Sequence, residues 1–134
     1  MTSSASDDAP RRRKVLIADD EPNIVISLEF LMKREGYEVI VARDGQEALD
    51  LMAREKPDLV LLDVMMPRKT GFEVCQSVRA SEELRQTRIL MLTARGRETG
   101  VAKGLALGAD AYMTKPFSTR ELVQKVADIL GACS

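Results

Sequence analysis

Five residues carry the chemistry this sequence could perform: Asp19, Asp20, Asp63, Thr93 and Lys115. Each follows closely on a short apolar run. Val15-Leu16-Ile17 leads to Asp19-Asp20-Glu21, and Leu59-Val60-Leu61-Leu62 ends in Asp63. Ile89-Leu90-Met91-Leu92 ends in Thr93, and Ala111-Tyr112-Met113 leads to Lys115-Pro116. Carboxylates gathered at one edge repel one another and resist ionising together. A hard divalent cation relieves this; magnesium takes one or two carboxylates and keeps places for water and phosphate. Asp20 and Asp63, with Asp19 near, therefore read as a magnesium site. Lys115 adds a point positive charge, and the Thr93 hydroxyl can donate to a phosphoryl oxygen. A carboxylate nucleophile, a metal, an ammonium and a hydroxyl are the parts needed for in-line phosphoryl transfer onto an aspartate. The chain has no histidine, which is no obstacle, because a carboxylate nucleophile needs no base.

Such a site requires elements that end together. The runs above, with Val39-Ile40-Val41, predict five strands, and the second, third and fourth are apolar nearly throughout. That pattern predicts strands buried on both faces of a parallel sheet. Helical spacing lies between them: Ile24, Leu28 and Leu31; Ala48, Leu51 and Met52; Val74 and Val78; Leu122, Val126 and Ile129. Pro22 suits a first helical turn. Asp44 with Glu47, Thr70 with Glu73 and Ser118 with Glu121 have capping-box spacing. Gly36 and Gly131 sit where helices should stop. A fourth helix, about residues 97 to 107, is interrupted at four-residue spacing by Gly100, Gly104 and Gly108, each interior glycine costing about 1 kcal/mol against alanine. Strand–helix alternation five times over predicts an α/β flavodoxin-like, doubly wound (βα)5 fold. Its parallel sheet has the order 2-1-3-4-5, and its ligand edge lies at the carboxyl ends of the strands. A closed barrel takes eight such units.

The bulk properties agree with one domain. The chain has 134 residues, 45% hydrophobic and 31% charged, with a net charge of −1. That balance demands neither nucleic acid nor an anionic membrane. Residues 1–13 read as a flexible polar leader, 14–131 as the domain and 132–134 as a tail. Arg11 to Lys14 read as a solvated flank. Cys75 and Cys133 lack disulfide-framework or metal-ligand spacing. No signal peptide or membrane span is evident, so a cytoplasmic location is expected.

The motifs together resemble the receiver domains of bacterial two-component response regulators, of the single-domain type found among chemotaxis regulators. The resemblance rests on Val15-Leu16-Ile17-Ala18-Asp19-Asp20-Glu21, on Leu61-Leu62-Asp63-Val64-Met65-Met66-Pro67 with Gly71-Phe72-Glu73, on Leu92-Thr93-Ala94, and on Lys115-Pro116-Phe117. It runs from about Lys14 to Gly131. The resemblance implies that Asp63 is the phosphoacceptor and that Asp20 and the Met65 backbone carbonyl join it around Mg2+, with Asp19 acting through water. Mn2+ is expected to substitute. It implies that Thr93 and Tyr112 are switch residues, that Lys115 contacts phosphate and that the Lys115–Pro116 bond is cis. Arg68, Lys69 and Arg95 make the rim basic, and Met65 and Arg95 are expected to restrict water there.

The implied partners are a sensor histidine kinase or a histidine phosphotransfer protein, a downstream protein target, and a phosphorylation-dependent homodimer. Nucleic acid and membrane are not expected as direct partners, nor is turnover of a separate substrate. Two other classes fit worse. A haloacid-dehalogenase-like phosphotransferase carries a second Asp two residues after its nucleophile, where this chain has Met65. A flavin binder needs a glycine- and hydroxyl-rich phosphate loop after strand one, where this chain has Asp19-Asp20-Glu21. The ending Ala132-Cys133-Ser134 leans towards a stand-alone receiver over a domain excised from a larger DNA-binding or enzymatic regulator.

Overall fold

Five runs, four of them rich in Val, Ile and Leu, form one parallel sheet in the computed structural model, which describes residues 13–66, 69–94 and 107–131. The elements are β1 (Lys14–Ala18), α1 (Pro22–Arg34), β2 (Glu38–Ala42), α2 (Gly45–Glu55), β3 (Leu59–Asp63), α3 (Gly71–Ala80), β4 (Arg88–Ala94), β5 (Ala111–Lys115) and α4 (Thr119–Leu130). The last is the helix expected fifth. The helix expected about residues 97 to 107 lies outside the described residues except for Leu107. So do residues 1–12 of the leader, the 132–134 tail with Cys133, and Pro67, Arg68 and Arg95. Strand order is β2-β1-β3-β4-β5, all parallel, as predicted.

Side chains alternate across the sheet because successive strand residues point to opposite faces. Leu16, Ala18, Val60, Leu62, Ile89 and Met91 meet Ala48, Leu51 and Met52 of α2 and Val74, Cys75 and Val78 of α3. Val15, Ile17, Leu59, Leu61, Leu90 and Leu92 meet Val25, Leu28, Leu31 and Met32 of α1 and Leu122, Val126 and Leu130 of α4. Each fully buried leucine or isoleucine contributes about 1.5–3 kcal/mol. β2 departs from the prediction: Val39, Ile40 and Val41 are only half-buried. It is an edge strand, so helices cover less of it. Among the described residues no helix is long and apolar enough to cross a membrane.

The helix boundaries follow the chain's own signals. Pro22 opens α1. Thr70 and Glu73 form a reciprocal capping box on α3, Asp44 accepts from the Glu47 N–H at 2.8 Å, and Ser118 accepts from the Glu121 N–H at 3.3 Å. Gly36 and Gly131 adopt positive φ after α1 and α4. These caps start α2, α3 and α4 immediately after the loops that leave the carboxyl edge, which is where the predicted chemistry lies.

A carboxylate and ammonium cluster at the carboxyl edge

Register brings the acids together. Ala18 of β1 pairs with Leu62 of β3, so the next residues, Asp19 and Asp63, emerge side by side. Asp63 pairs with Leu92, and Leu92 with Met113. Lys115 therefore stands two residues beyond the level of Asp63 and on the same face of the sheet, within reach of a long side chain. Its ammonium donates to Asp19 Oδ2 at 2.9 Å and lies 3.4 Å from Asp63 Oδ1. The other Asp19 oxygen accepts from the Glu21 N–H at 2.9 Å. Asp63 Oδ1 also accepts from the Met65 N–H at 3.4 Å. Asp19 is fully buried and Asp63 nearly so, whereas Asp20 is exposed. One carboxylate oxygen from each of the three lies within 4.8 Å of the others.

The electrostatics follow from that crowding. Burial and the neighbouring Asp19 charge push the Asp63 carboxyl up to about 6, although Lys115 and the Met65 N–H pull the other way. Burial draws the Lys115 ammonium down, but its hydrogen bond to Asp19 and the two carboxylate charges outweigh this and leave it raised. One ammonium thus serves two buried acids, with a third acid at the rim. The donor set is all oxygen, as a small hard cation prefers, and a cation there would relieve the strain that raises Asp63. The residues present fit a divalent metal.

The chain matches the response regulator receiver domain family over residues 15–127. It belongs to that family. A putative response regulator of Chloroflexus aurantiacus is 36% identical, with 90% of this chain and 99% of that one covered and a TM-score of 0.87. Chemotaxis protein CheY4 of Vibrio cholerae is 34% identical over 89% and 99% of the two chains, with a TM-score of 0.83. The receiver domain of a sensor histidine kinase of Pseudomonas aeruginosa, with a magnesium ion coordinated in its active-site cleft, is 27% identical. It covers 90% and 99% of the two chains, with a TM-score of 0.83. This receiver domain is accordingly a component of two-component phosphorelay signalling, and receiver domains are phosphorylated by sensor histidine kinases.

The receiver's predicted site residues divide by position. Asp19, Asp20, Asp63 and Lys115 are brought together as the spacing demanded. Thr93 is buried at the carboxyl end of β4, in register with Thr114 and one residue past the partner of Asp63. Met65 is half-exposed on the loop after β3, with its N–H on Asp63. The Lys115–Pro116 bond is cis, as expected. Tyr112 is 43% exposed and lines a groove of about 660 Å³ between β5 and α4, with Met113, Pro116 and Phe117. That groove lies away from the carboxylates.

The sequence did not reveal that Asp19 would be the best-held acid of the cluster. Two adjacent aspartates look alike in sequence; strand alternation turns one inward and leaves the other in water. Nor did it reveal the close approach of Gly71 to Asp63. A Cβ at Gly71 would overlap the Asp63 carbonyl oxygen, so only glycine lets α3 start there. Its place in the Thr70-Gly71-Phe72-Glu73 run was the available signal.

Proposed function

We propose that Asp63 accepts a phosphoryl group from a phosphohistidine donor, and that this changes the β5–α4 face for a protein partner. The observation that carries the reading is the set of three carboxylates within 4.8 Å of one another with Lys115 on two of them. An Asp63 oxygen attacks phosphorus, the P–O bond forms, and the electron pair of the breaking P–N bond stays on the donor's imidazole. Lys115 neutralises charge on the incoming oxygens. Asp20, Asp63 and the Met65 carbonyl would hold Mg2+, or Mn2+ in its place, with Asp19 behind them through water. Bound there, the cation supplies charge neutralisation and orientation for the phosphoryl oxygens. Asp19 keeps Lys115 aimed into the site, and Val64 and Met66, both buried, anchor the loop bearing Met65.

Thr93 then donates its hydroxyl to a phosphoryl oxygen, and the half-exposed Tyr112 turns inward, reshaping the groove beside Pro116 and Phe117. Local charge is thus read out by a two-state element. In this reading the chain accepts its phosphoryl group and promotes that transfer without turning over a separate substrate. Its place is the cytoplasm, with a histidine kinase or phosphotransfer protein as donor.

The test is incubation with a small phosphodonor and Mg2+, followed by intact mass. Wild type should gain one phosphoryl group and Asp63→Asn none. A gain that survives Asp63→Asn, or no gain in wild type, overturns the assignment.

A further inference from the structure

The chain has seven methionines, and the fold treats the described ones unequally. Met32 and Met52 are fully buried, Met91 and Met66 nearly so, and Met113 is partly buried against the core. Met65 is 50% exposed. Its neighbours Val64 and Met66 are each 8% exposed, so they anchor the loop while the side chain between them reaches water. That exposed side chain belongs to the residue whose backbone N–H lies 3.4 Å from Asp63 Oδ1. The nitrogen and the thioether sulfur are joined through Cα, Cβ and Cγ, so the sulfur lies within about 9 Å of that oxygen in any rotamer. An oxidant must reach the sulfur lone pair to react, and the sulfoxide formed is polar where the thioether was apolar. The site beside it already holds three carboxylates within 4.8 Å of one another, with the Lys115 ammonium on two of them. An oxygen added to Met65 therefore joins surroundings rich in negative charge.

We propose that Met65 is a modification site for peroxide, and that its sulfoxide slows phosphoryl uptake at Asp63. The proposal rests on the functional reading above for the role of Asp63. A sulfur lone pair attacks one peroxide oxygen; the S–O bond forms and the O–O bond breaks. The electron pair of the O–O bond leaves on the other oxygen, which takes the proton of the transferred one and, from hydrogen peroxide, departs as water. Sulfur is oxidised and peroxide reduced by the same electron pair. The new oxygen is the negative end of the S–O dipole, and it repels the incoming phosphoryl oxygens, which carry charge of their own. The buried methionines keep their sulfur from the oxidant, so the core is spared. Methionine sulfoxide reductases return sulfoxide to thioether, which makes the modification a reversible brake.

The experiment treats the full chain with hydrogen peroxide in increasing doses. Peptide mapping gives the order in which methionines gain oxygen, and intact mass follows the rate of phosphoryl uptake from acetyl phosphate with Mg2+. Met65 should gain oxygen before Met32, Met52, Met66, Met91 and Met113. Uptake should slow about threefold as it does, the size expected of a dipole facing charge at a partly wet site. A methionine sulfoxide reductase should restore the rate. Met65→Leu keeps the backbone and nearly the same apolar volume, and its rate, whatever its starting value, should be the same before and after peroxide. Should that variant not fold, the reductase arm decides, and a rate that stays low once Met65 is reduced counts against the proposal. The melting temperature of treated wild type should match that of the untreated chain. Another of these methionines oxidised first, Met65 oxidised without slowing, slowing that persists in treated Met65→Leu, or slowing matched by a lowered melting temperature overturns the proposal while leaving the functional reading intact. An untreated wild type that takes up no phosphoryl group overturns both.

Discussion

Lys115 holds the buried Asp19 at 2.9 Å and Asp63 at 3.4 Å, so its charge is divided between two acids. Lys115→Met would leave the two acids facing each other without a counter-charge. Removing one partner of a buried ion pair costs about 3–5 kcal/mol. Lys115 keeps some contact with water, with 15% of its side chain exposed. The lower end, about 3 kcal/mol, is therefore the expected loss in urea unfolding at neutral pH. Asp63 also predicts a pH effect. Its folded value, about 6, exceeds the ordinary 3.8, so between these values the folded chain binds more protons than the unfolded one. Its contribution to metal-free stability is therefore present below about pH 4 and is lost as pH rises through about 6. Protons and Mg2+ compete for the same oxygens, so Mg2+ affinity should fall as pH drops through about 6. Titrations on either side of that value would check this; a flat profile contradicts it.

At the scale of elements, α3 connects both edges of the sheet. Its first turn starts against Asp63 through Gly71. Near its end, the Arg79 guanidinium donates to the carbonyls of Gly108 at 2.8 Å, Arg85 at 2.9 Å and Thr87 at 2.6 Å, and to Asp110 at 3.0 Å. Asp110 also accepts from the Ile89 N–H at 2.7 Å. One side chain thus ties the approaches to β4 and β5 together at the amino edge. Arg79→Leu should lower unfolding free energy by about 3 kcal/mol, because hydrogen bonds to charged groups contribute about 1.5–3 kcal/mol and several are lost. Mg2+ affinity should stay unchanged, since the node lies at the far edge from the carboxylates; a matching loss of affinity would show the two edges coupled. The caps of α2, α3 and α4 were legible in the sequence because each is a contact within four residues. The Arg79–Asp110 pair and the Gly45–Lys69 approach were not, because nothing local marks residues that meet only after the helices dock.

For the whole molecule, the cation and the fold are linked by mass action. A ligand that binds only the folded state stabilises it by an amount set by its concentration relative to its dissociation constant, about 2.7 kcal/mol at a hundredfold excess. The melting temperature of wild type should therefore climb with Mg2+ concentration, and Asp63→Asn, lacking one of the three carboxylates, should climb less. A melting temperature indifferent to Mg2+ in both would refute a cation site at this edge.

The sequence by itself determined the alternation of strand and helix, the strand order, the helix starts, and which five polar residues would share an edge. Those features are periodic or local: apolar runs select strands, 3.6-residue spacing selects helix faces, and every parallel strand ends on the same side. The resemblance to receiver domains supplied the individual roles. The tertiary structure alone decided which of Asp19 and Asp20 faces inward, how Lys115 divides itself between two acids, and why Val39 to Val41 are only half covered. It also decided that Gly45 meets Lys69, and Gly71 meets Asp63, at distances only glycine allows. Each of these depends on register, on position within the sheet, or on contact between distant backbones, and no spacing along the chain encodes such distances. The edge that spacing pointed to is thereby resolved into two buried acids that share one ammonium, one of them with a raised pKa, and one acid in water.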